Sequence, residues 1–283
     1  MDWKGREQSQ NVEDRRGSRG GGGGGKTPGI LGIIVVLIGA YYGVDLSGLV
    51  GGSSSMGIPT QQASRLDSQQ EAELKELSRV VLANTEKAWS KYFQQHGQHY
   101  TPTTMVLYEG STSTACGTGQ SAMGPFYCPG DQRVYLDLSF YEDMRTKLES
   151  ASDAAFAYVI AHEVGHHVQN LLGILPKVHK MQQQVGKKEA NALSVKLELQ
   201  ADCFAGIWGH YAINKNIFKT EDIQKAMLAA ESVGDDRLQK QAQGYVVPDS
   251  FTHGSSEERM TWLKRGLESG DINQCNTRSE EHT

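Results

Sequence analysis

The fold of this chain is decided by the stretch Tyr158–Asn170, whose sequence is YVIAHEVGHHVQN. On a helix, His162 and His166 lie one turn apart on the same face, so both imidazole rings can reach a single metal ion. Glu163 lies beside them, where a carboxylate can polarise a metal-bound water. Gly165 is expected to leave open space next to these ligands. The stretch therefore indicates a helix that contributes two ligands to a metal centre.

A helix can also carry His-Glu-x-x-His by chance, because only three of its five positions are fixed. The interpretation as a metal site needs support from a third ligand, since a hydrolytic zinc site takes three protein ligands and keeps one position for water. The motif helix is predicted over about residues 152–172, where Gly173 and Pro176 bring it to an end. A second helix is predicted over about residues 188–211. The third ligand is expected on that helix.

Glu198 supplies this ligand if the two helices pack face to face. Asp202 lies one turn further along the same face, where it can accept a hydrogen bond from the second N–H of a ligating histidine. The alternative is a solvated helical face in which Lys196 pairs with these acids. Leu197 and Leu199 count against full exposure, so the sequence favours the ligand interpretation.

Composition limits the class of protein. The 283 residues, 38% of them hydrophobic and 22% charged, allow one large domain or a domain with appendages. The net charge is −5, although residues 1–26 carry an excess of lysine and arginine. The rest of the chain is therefore acidic, which argues against nucleic acid as a partner, because phosphate binding needs a basic face.

The first part of the sequence differs from the rest in composition. Residues 1–27 are basic and rich in glycine, and we expect them to be disordered. Residues 28–44 contain no charged residue and are predicted to form a transmembrane helix, with Tyr41 and Tyr42 at the membrane interface. Residues 45–67 are predicted to be a flexible linker.

Three interpretations compete for the apolar segment: a buried helix, a cleaved signal peptide and a retained anchor. A glycine run beside it and a linker after it disfavour the first, and the second lacks a convincing cleavage site. Arg15-Arg16 is compatible with twin-arginine export, but the glycine run that follows is atypical. We expect a single-pass anchor in the lipid bilayer of a bacterial inner membrane. The basic flank would stay cytoplasmic and the rest would be periplasmic or extracellular.

Periodicity predicts further elements. A helix with an apolar stripe runs from about Ser68 to Gln95, and strands are predicted over residues 103–108 and 133–140. A polar loop between the strands is bounded by Cys116 and Cys128.

Four cysteines in an exported domain favour disulfides. Cys116–Cys128 is the preferred pair, and Cys203–Cys275 follows by elimination. Four cysteines allow three connectivities, so the alternatives stay open. A cysteine–zinc site is disfavoured because the chain has no Cys-x-x-Cys spacing.

The two helices together resemble a known group of enzymes. His162–His166, followed by Glu198–Asp202 with the pattern Glu-x-x-Ala-Asp, is similar to the gluzincin peptidases. From the N-terminus to about Cys275 the chain resembles the bacterial neutral zinc metallopeptidases, a membrane-anchored, gluzincin-like family. Further matching segments are Met1–Trp3, Asn11–Gly17, Cys128–Pro129, Val134–Leu138, Val233–Asp236 and Thr252–Arg259.

The resemblance implies zinc peptidase chemistry on a peptide or protein substrate. One Zn²⁺ per chain would be held by His162, His166 and Glu198, with Asp202 supporting a ligand. Glu163 would take a proton from the metal-bound water and later return it to the leaving amine. The resemblance does not identify the substrate.

A second part of the resemblance lies near the C-terminus. Membrane gluzincins carry a His-Pro-Pro-x-x-x-Arg segment after the third ligand, and His253 and Arg259 keep its spacing. Gly254 and Ser255 stand where those enzymes have the two prolines. By this analogy, His253 would donate a hydrogen bond to the oxyanion of the transition state, and Arg259 would hold the carboxylates of the site.

The same segment also fits the start of a helix, with Ser255 or Ser256 as the N-cap. Both interpretations can hold together. His167 points about 100° away from its neighbour on the helix and is expected to pack beside the site without binding metal. Asp235 and Asp236 suggest no particular chemistry.

We therefore expect an α+β, helix-dominated zincin-like domain with a small antiparallel sheet over residues 68–275. A single N-terminal transmembrane helix precedes it, and a disordered tail follows over residues 276–283. Val134–Phe140 is the predicted edge strand along which a bound peptide would lie. The expected function is a zinc metallopeptidase, specifically an endopeptidase. The alternatives are a catalytically silent zinc-binding envelope protein that acts as an interaction module, and a zinc amidase that acts on cell-wall peptides.

Overall fold

The computed structural model describes residues 1–17 and 66–277 of the chain. The predicted transmembrane helix over residues 28–44, and residues 45–65 of the predicted linker, lie outside these ranges and stay predictions. Within the described ranges, no helix is both long enough and apolar enough to cross a membrane.

Helices dominate the described residues, and local capping sets where they begin. They are α1 (Ser68–Gln95), α2 (Phe140–Thr146), α3 (Asp153–Leu171), α4 (Ile174–Gln182), α5 (Lys187–Asn214), α6 (Thr220–Ser232), α7 (Asp235–Gln243) and α8 (Ser256–Ser269). At the start of α1, the Asp67 carboxylate accepts hydrogen bonds from the backbone N–H groups of Gln69 and Gln70. The side chains of Ser152 and Ser255 cap α3 and α8 in the same way. The structure therefore confirms the predicted helices close to their predicted ends.

Helix α3, which carries the histidine motif, lies at the centre of the domain. Almost every side chain from Ala154 to Val168 is buried, as expected of a helix that is packed on all sides. It packs against α1, α5 and α6. The motif therefore sits on a largely buried helix, whose position is fixed by its neighbours.

The main sheet has four strands and is mostly parallel. Strands β1 (Val12–Asp14), β2 (Thr104–Tyr108), β6 (Arg133–Asp137) and β5 (Phe126–Cys128) are neighbours in that order. The pairs β1–β2 and β2–β6 are parallel, and β5–β6 is antiparallel. Strands β3 (Ser111–Thr114) and β4 (Gly117–Gln120) form a separate antiparallel pair. The α+β class is confirmed, whereas the prediction of an antiparallel sheet is wrong for the main sheet.

The predicted position of the edge strand is also wrong. Val134–Phe140 was expected at the edge, but β6 is hydrogen-bonded to β2 on one side and to β5 on the other. After β2 the chain forms β3, β4 and β5 before it continues into β6, and β5 covers that side of β6. Strand β5 is therefore the edge strand on this side of the sheet.

The N-terminal segment differs from its predicted disorder over residues 1–17. Trp3 is only 3% exposed, and β1 forms one edge of the main sheet. The composition of residues 1–27 as a whole is dominated by glycine, although residues 1–17 contain a tryptophan and a short strand. Residues 18–27 lie outside the described ranges.

The structure pairs the four cysteines as Cys116–Cys128 and Cys203–Cys275, the pairing that the sequence favoured. The first disulfide links the β3–β4 hairpin to β5. The second joins α5 to the C-terminal end of the described chain. Thr277, inside the predicted disordered tail, is buried and donates a hydrogen bond to the carbonyl oxygen of Lys196. The prediction of disorder is therefore wrong at the start of this tail.

Candidate metal centre

Three side chains predicted to bind a metal come together between α3 and α5. One potential ligand atom from each of His162, His166 and Glu198 lies within 4.8 Å of the other two. Glu198 Oε2 is 3.1 Å from His162 Nε2, and Glu198 Oε1 is 3.3 Å from His166 Nε2. Two imidazole nitrogens and one carboxylate therefore face a common point.

A close approach of the two helices brings these groups together. A Cβ atom on Gly165 would lie 3.1 Å from the carbonyl oxygen of Ala201 and 3.4 Å from Phe204 Cβ. The expectation of open space beside Gly165 is therefore wrong. Its missing side chain lets the backbone of α5 pass close to α3, within reach of the histidines.

Asp202 contacts His162 at the ring nitrogen that does not face Glu198. Its Oδ1 atom is 2.8 Å from His162 Nδ1 and also accepts a hydrogen bond from the Tyr158 hydroxyl at 2.6 Å. Arg259 donates to both oxygens of this carboxylate, at 2.8 Å from Nε and 3.0 Å from Nη2. Asp202 is completely buried. Its contacts leave His162 Nε2 facing Glu198.

Gln169 holds the second histidine. Its Oε1 atom is 2.9 Å from His166 Nδ1. Its Nε2 atom donates to the carbonyl oxygen of Leu197 at 2.8 Å and to Gln200 Oε1 at 3.0 Å. The amide is therefore tied to α5, and its oxygen is left for the imidazole N–H. Each histidine has a partner that fixes the orientation of its ring.

The acidic and imidazole groups of the centre shift one another's pKa values. Burial alone would lower the pKa of His162, but Asp202 and Glu198 outweigh it and raise that pKa to about 10. Burial alone would raise the pKa of Glu198, but His166 and His162 hold it well below its ordinary range. A divalent cation bound here would replace the protons of the histidines.

Glu163 lines the same cavity as the three candidate ligands His162, His166 and Glu198. Its side chain is 7% exposed, and burial raises the pKa of its carboxyl group. A carboxylate with a raised pKa is a better proton acceptor near neutral pH. Glu163 is therefore suited to move a proton beside the centre.

His253 reaches the cavity from the segment before α8. Its Nδ1 atom is 3.2 Å from Asp235 Oδ1, while the backbone N–H groups of Thr252, His253 and Gly254 all donate to Asp235 Oδ2. Burial alone would lower the pKa of His253, but the bond with Asp235 raises it. Asp235 thus fixes both the backbone and the imidazole ring of His253.

The three candidate ligands share one cavity of about 370 Å³. One wall is formed by the segment from Met123 to Tyr127, which ends in the edge strand β5, and another by α5. Glu163, His253 and Arg259 all line the cavity. A substrate that enters it would meet the three candidate ligands and these other polar groups together.

Comparison with known proteins places the chain in a family. A family described as "Putative neutral zinc metallopeptidase" matches residues 1–278. The chain belongs to this family. It is 53% identical over 285 residues to "Uncharacterized protein YpfJ" of Escherichia coli (strain K12), with 98% of each chain covered. It is 43% identical over 190 residues to "Uncharacterized protein Rv2575" of Mycobacterium tuberculosis, with 63% of each chain covered. No solved structure matches.

In this member of the neutral zinc metallopeptidase family, His167 lies outside the ligand set. It is fully buried, with Nε2 2.7 Å from the carbonyl oxygen of Thr101 and Nδ1 2.9 Å from the Tyr127 hydroxyl. Burial lowers the pKa of its imidazole. Because Tyr127 lines the cavity, His167 supports the cavity wall.

Three residues of the candidate metal centre were missed from the sequence. Gln169 lies three positions after His166, and a polar residue on a buried helix face is a signal that could have found it. Tyr158 lies within the motif stretch, but its role depends on Asp202 and Arg259 from other helices. Asp235 gave no local signal, since its partners come from a segment that follows α7.

Proposed function

We propose that this chain is a zinc-dependent metallopeptidase, specifically an endopeptidase, in which Glu163 is the general base. One observation carries the proposal: two histidines and Glu198 face a common point inside a cavity that Glu163 also lines. A purely structural zinc site has no need of a carboxylate placed to accept a proton. The family membership supports hydrolytic chemistry of the same kind.

The residues present fit zinc. Catalytic zinc sites use nitrogen and carboxylate ligands from three side chains and leave a fourth position for water. His162, His166 and Glu198 provide this donor set, and the second nitrogen of each imidazole is already held by a buried partner. When bound, zinc would polarise a carbonyl group and lower the pKa of water to roughly 7.

Glu163 would act in two steps of the reaction. Its carboxylate would take a proton from the attacking water and return it to the nitrogen of the leaving amine. Burial raises its pKa, which favours both holding and returning this proton near neutral pH. General acid–base catalysis of this kind contributes about 10²–10⁴-fold to a rate.

His253 would stabilise the oxyanion that forms when the carbonyl is attacked. Asp235 holds the imidazole in place and favours its protonated form, in which both ring nitrogens carry a proton. Such a donor is worth about 3–4 kcal/mol in the transition state. Arg259 would act less directly, because it contacts Asp202, which in turn orients His162.

The edge strand β5 gives a place for the substrate backbone. Phe126 and Tyr127 belong to this strand and also line the cavity. A peptide added along the outer side of β5 would form main-chain hydrogen bonds and run past the metal centre. A substrate that continues on both sides of the centre favours cleavage within a chain, which is why we propose an endopeptidase.

The test is to measure zinc content and proteolysis on the same preparations of the full chain. We expect one zinc per chain in both the parent and Glu163→Gln, since Glu163 is outside the ligand set. Turnover of an unfolded protein and of a fluorogenic peptide library is expected in the parent and should fall about 10²–10⁴-fold in the variant. Glu257→Gln, an exposed change on α8, is the matched control.

The outcomes separate the alternatives. Equal turnover in Glu163→Gln and the parent would remove Glu163 from the mechanism. Stoichiometric zinc in a parent that cleaves nothing would favour the silent zinc-binding protein. Cleavage of cell-wall peptides, but not of proteins, would favour the amidase.

A further inference from the structure

The N-terminal segment, defined here as residues 1–17, is built into the fold that carries the metal centre. Strand β1 pairs in parallel with β2, with Val12 opposite Met105 and Asp14 opposite Leu107. Backbone hydrogen bonds to β2 continue just beyond both ends of β1. Met105 N–H donates to the carbonyl oxygen of Asn11 at 2.9 Å, and Arg15 N–H donates to that of Leu107 at 2.8 Å. The segment completes one edge of the main sheet.

The same segment reaches the helix that carries the histidines. Trp3 is buried in the main core, and its Nε1 atom donates to Asp153 Oδ2 at 2.7 Å. Asp153 is the first residue of α3. Asp2 N–H also donates to the carbonyl oxygen of Ile217, just after α5. The segment therefore contacts the elements that position the site.

Ion pairs fix the register of the segment along its length. Glu7 Oε2 is 2.6 Å from Lys87 Nζ on α1, and Asp14 Oδ2 is 2.8 Å from Lys75 Nζ on the same helix. Glu13 Oε2 is 2.7 Å from Arg133 Nη1 on β6. Ion pairs near the surface contribute little to stability. These pairs specify one arrangement of the segment, which also contains the buried Trp3 and the strand that pairs with β2.

These contacts conflict with a single membrane crossing between the segment and the domain. If residues 28–44 crossed a bilayer once, residues 1–17 and residues 66–277 would lie on opposite sides. The edge of β2 would then lose its partner, and the core would lose Trp3. Within one copy of the chain, a single crossing and the contacts of β1 exclude each other.

We propose that the N-terminal segment and residues 66–277 lie in the same compartment. The chain between them therefore begins and ends on one side of any membrane that it contacts. This revises the topology expected from the sequence, in which the basic N-terminus stays cytoplasmic and the rest of the chain is exported. A strand supplied by a second copy of the chain would lead to the same conclusion wherever the two copies have the same orientation in the membrane, since the segment of one copy and the domain of the other would have to share a compartment. The inference is independent of the proposed function.

Zero-length cross-linking of the full chain tests the contact directly. A carbodiimide that reaches both sides of the membrane would be applied to membranes from cells that produce the chain, and cross-linked peptides would be identified by mass spectrometry. We expect an amide between Glu7 and Lys87. Lys87→Arg removes the reactive amine and should abolish this product alone. Lys188 and Asp249, 3.1 Å apart within residues 66–277, provide the internal positive control.

Thiol accessibility gives the compartment independently. Gln10→Cys and Gln98→Cys, each made alone in the full chain, place an exposed thiol on the segment and after α1. In spheroplasts treated with a membrane-impermeant maleimide, we expect both variants to react or both to require permeabilisation. Reaction of one variant before permeabilisation and of the other only after it would overturn the proposal. So would a Lys188–Asp249 cross-link without any Glu7–Lys87 product. Neither result depends on zinc or on peptidase activity.

Discussion

At the residue scale, the two candidate histidine ligands are held in different ways. Asp202 fixes His162 through a charged network that includes Arg259, whereas Gln169 fixes His166 through a neutral amide. Loss of the Asp202 carboxylate would leave the charge of Arg259 unpaired, whereas loss of the Gln169 amide would leave no charge unpaired. The two supports are therefore expected to differ more in their effect on stability than in their effect on the metal.

Replacing Asp202 with Asn should affect both properties. Arg259 would be left as a buried cation without its anion, a change that typically costs about 3–5 kcal/mol of stability. Zinc affinity should fall as well, because His162 loses its charged partner. Urea denaturation and competition with a chelator would measure the two effects, with the exposed change Asp249→Asn as control. Unchanged stability in Asp202→Asn would contradict the buried ion pair.

Replacing Gln169 with Leu should affect mainly the metal. His166 Nδ1–H would lose its acceptor, and the loss of such a partner typically weakens metal binding about 10–100-fold. We expect a smaller loss of stability than in Asp202→Asn, since no charge is left unpaired. Chelator competition measures the affinity, and Gln184→Leu, an exposed change after α4, serves as control. Equal zinc affinity in Gln169→Leu and the parent would show that this contact does not support the ligand.

Some residues of the site could be predicted from neighbouring residues in the sequence, and others could not. His162, Glu163 and His166 follow from helical spacing within one segment, and Glu198 follows from the need for a third ligand. Asp235 could not be found in this way. Its partners are three backbone N–H groups from residues 252–254, and such a contact exists only after α7 and the following segment have folded together.

At the scale of elements, the position of Arg259 depends on a close contact between α5 and α8. A Cβ on Gly206 would lie 2.3 Å from the carbonyl oxygen of Leu263, and a Cβ on Gly266 would lie 2.0 Å from that of Cys203. Both distances are to backbone atoms, which cannot move away individually. The two helices touch because glycine is present on both sides.

Gly206→Ala should therefore push the helices apart. We expect a loss of about 1–3 kcal/mol in the free energy of unfolding from overpacking, even though alanine favours a helix interior by up to about 1 kcal/mol. Gly209→Ala is the matched control, since its Cβ would meet only the end of the flexible Leu267 side chain. Urea denaturation of both variants measures the difference. A Gly206→Ala variant as stable as Gly209→Ala would contradict the backbone contact.

The longest helices and the strands β2 and β6 were predictable, whereas the order of the strands in the sheet was not, for a physical reason. Capping residues such as Asp67 and periodic apolar positions act within a few residues, so the ends of α1 could be read from the sequence. Strand neighbours are set by pairing between distant segments. Nothing local in Arg133–Asp137 indicates that β2 and β5 cover both of its sides, and so its predicted place at the edge was wrong.

At the scale of the whole molecule, the N-terminal segment shows the limit of composition as a guide. Residues 1–17 belong to the same fold as the metal centre, yet the glycine run after them gave the entire stretch the character of a disordered tail. Trp3 and the short strand were the contrary signals. Any fragment that begins after residue 17 lacks β1 and the Trp3 contact, so the experiments above use the full chain.

The raised pKa values of the histidines in the centre make the free energy of unfolding of the chelator-treated protein depend on pH. The pKa of His162 is raised from an ordinary value of 6.5 to about 10, because Asp202 and Glu198 outweigh the effect of burial. The folded state therefore binds this proton more tightly than the unfolded state does. The resulting stabilisation is fully present below pH 6.5 and is lost as the pH rises through about 10. The pKa of His166 is raised too, so it acts in the same direction.

We thus expect the free energy of unfolding of the chelator-treated protein to fall between pH 6.5 and 10. Zinc binding should show the opposite trend, since the ligands must lose their protons, and its affinity should rise over the same interval with release of protons into solution. Urea denaturation at several pH values and proton release on zinc addition would measure the two effects. His162→Gln should flatten the pH dependence of stability, whereas His96→Gln, at the exposed end of α1, should leave it unchanged. A metal-free protein that gains stability across this interval would show that the carboxylates do not hold the histidines in their charged form.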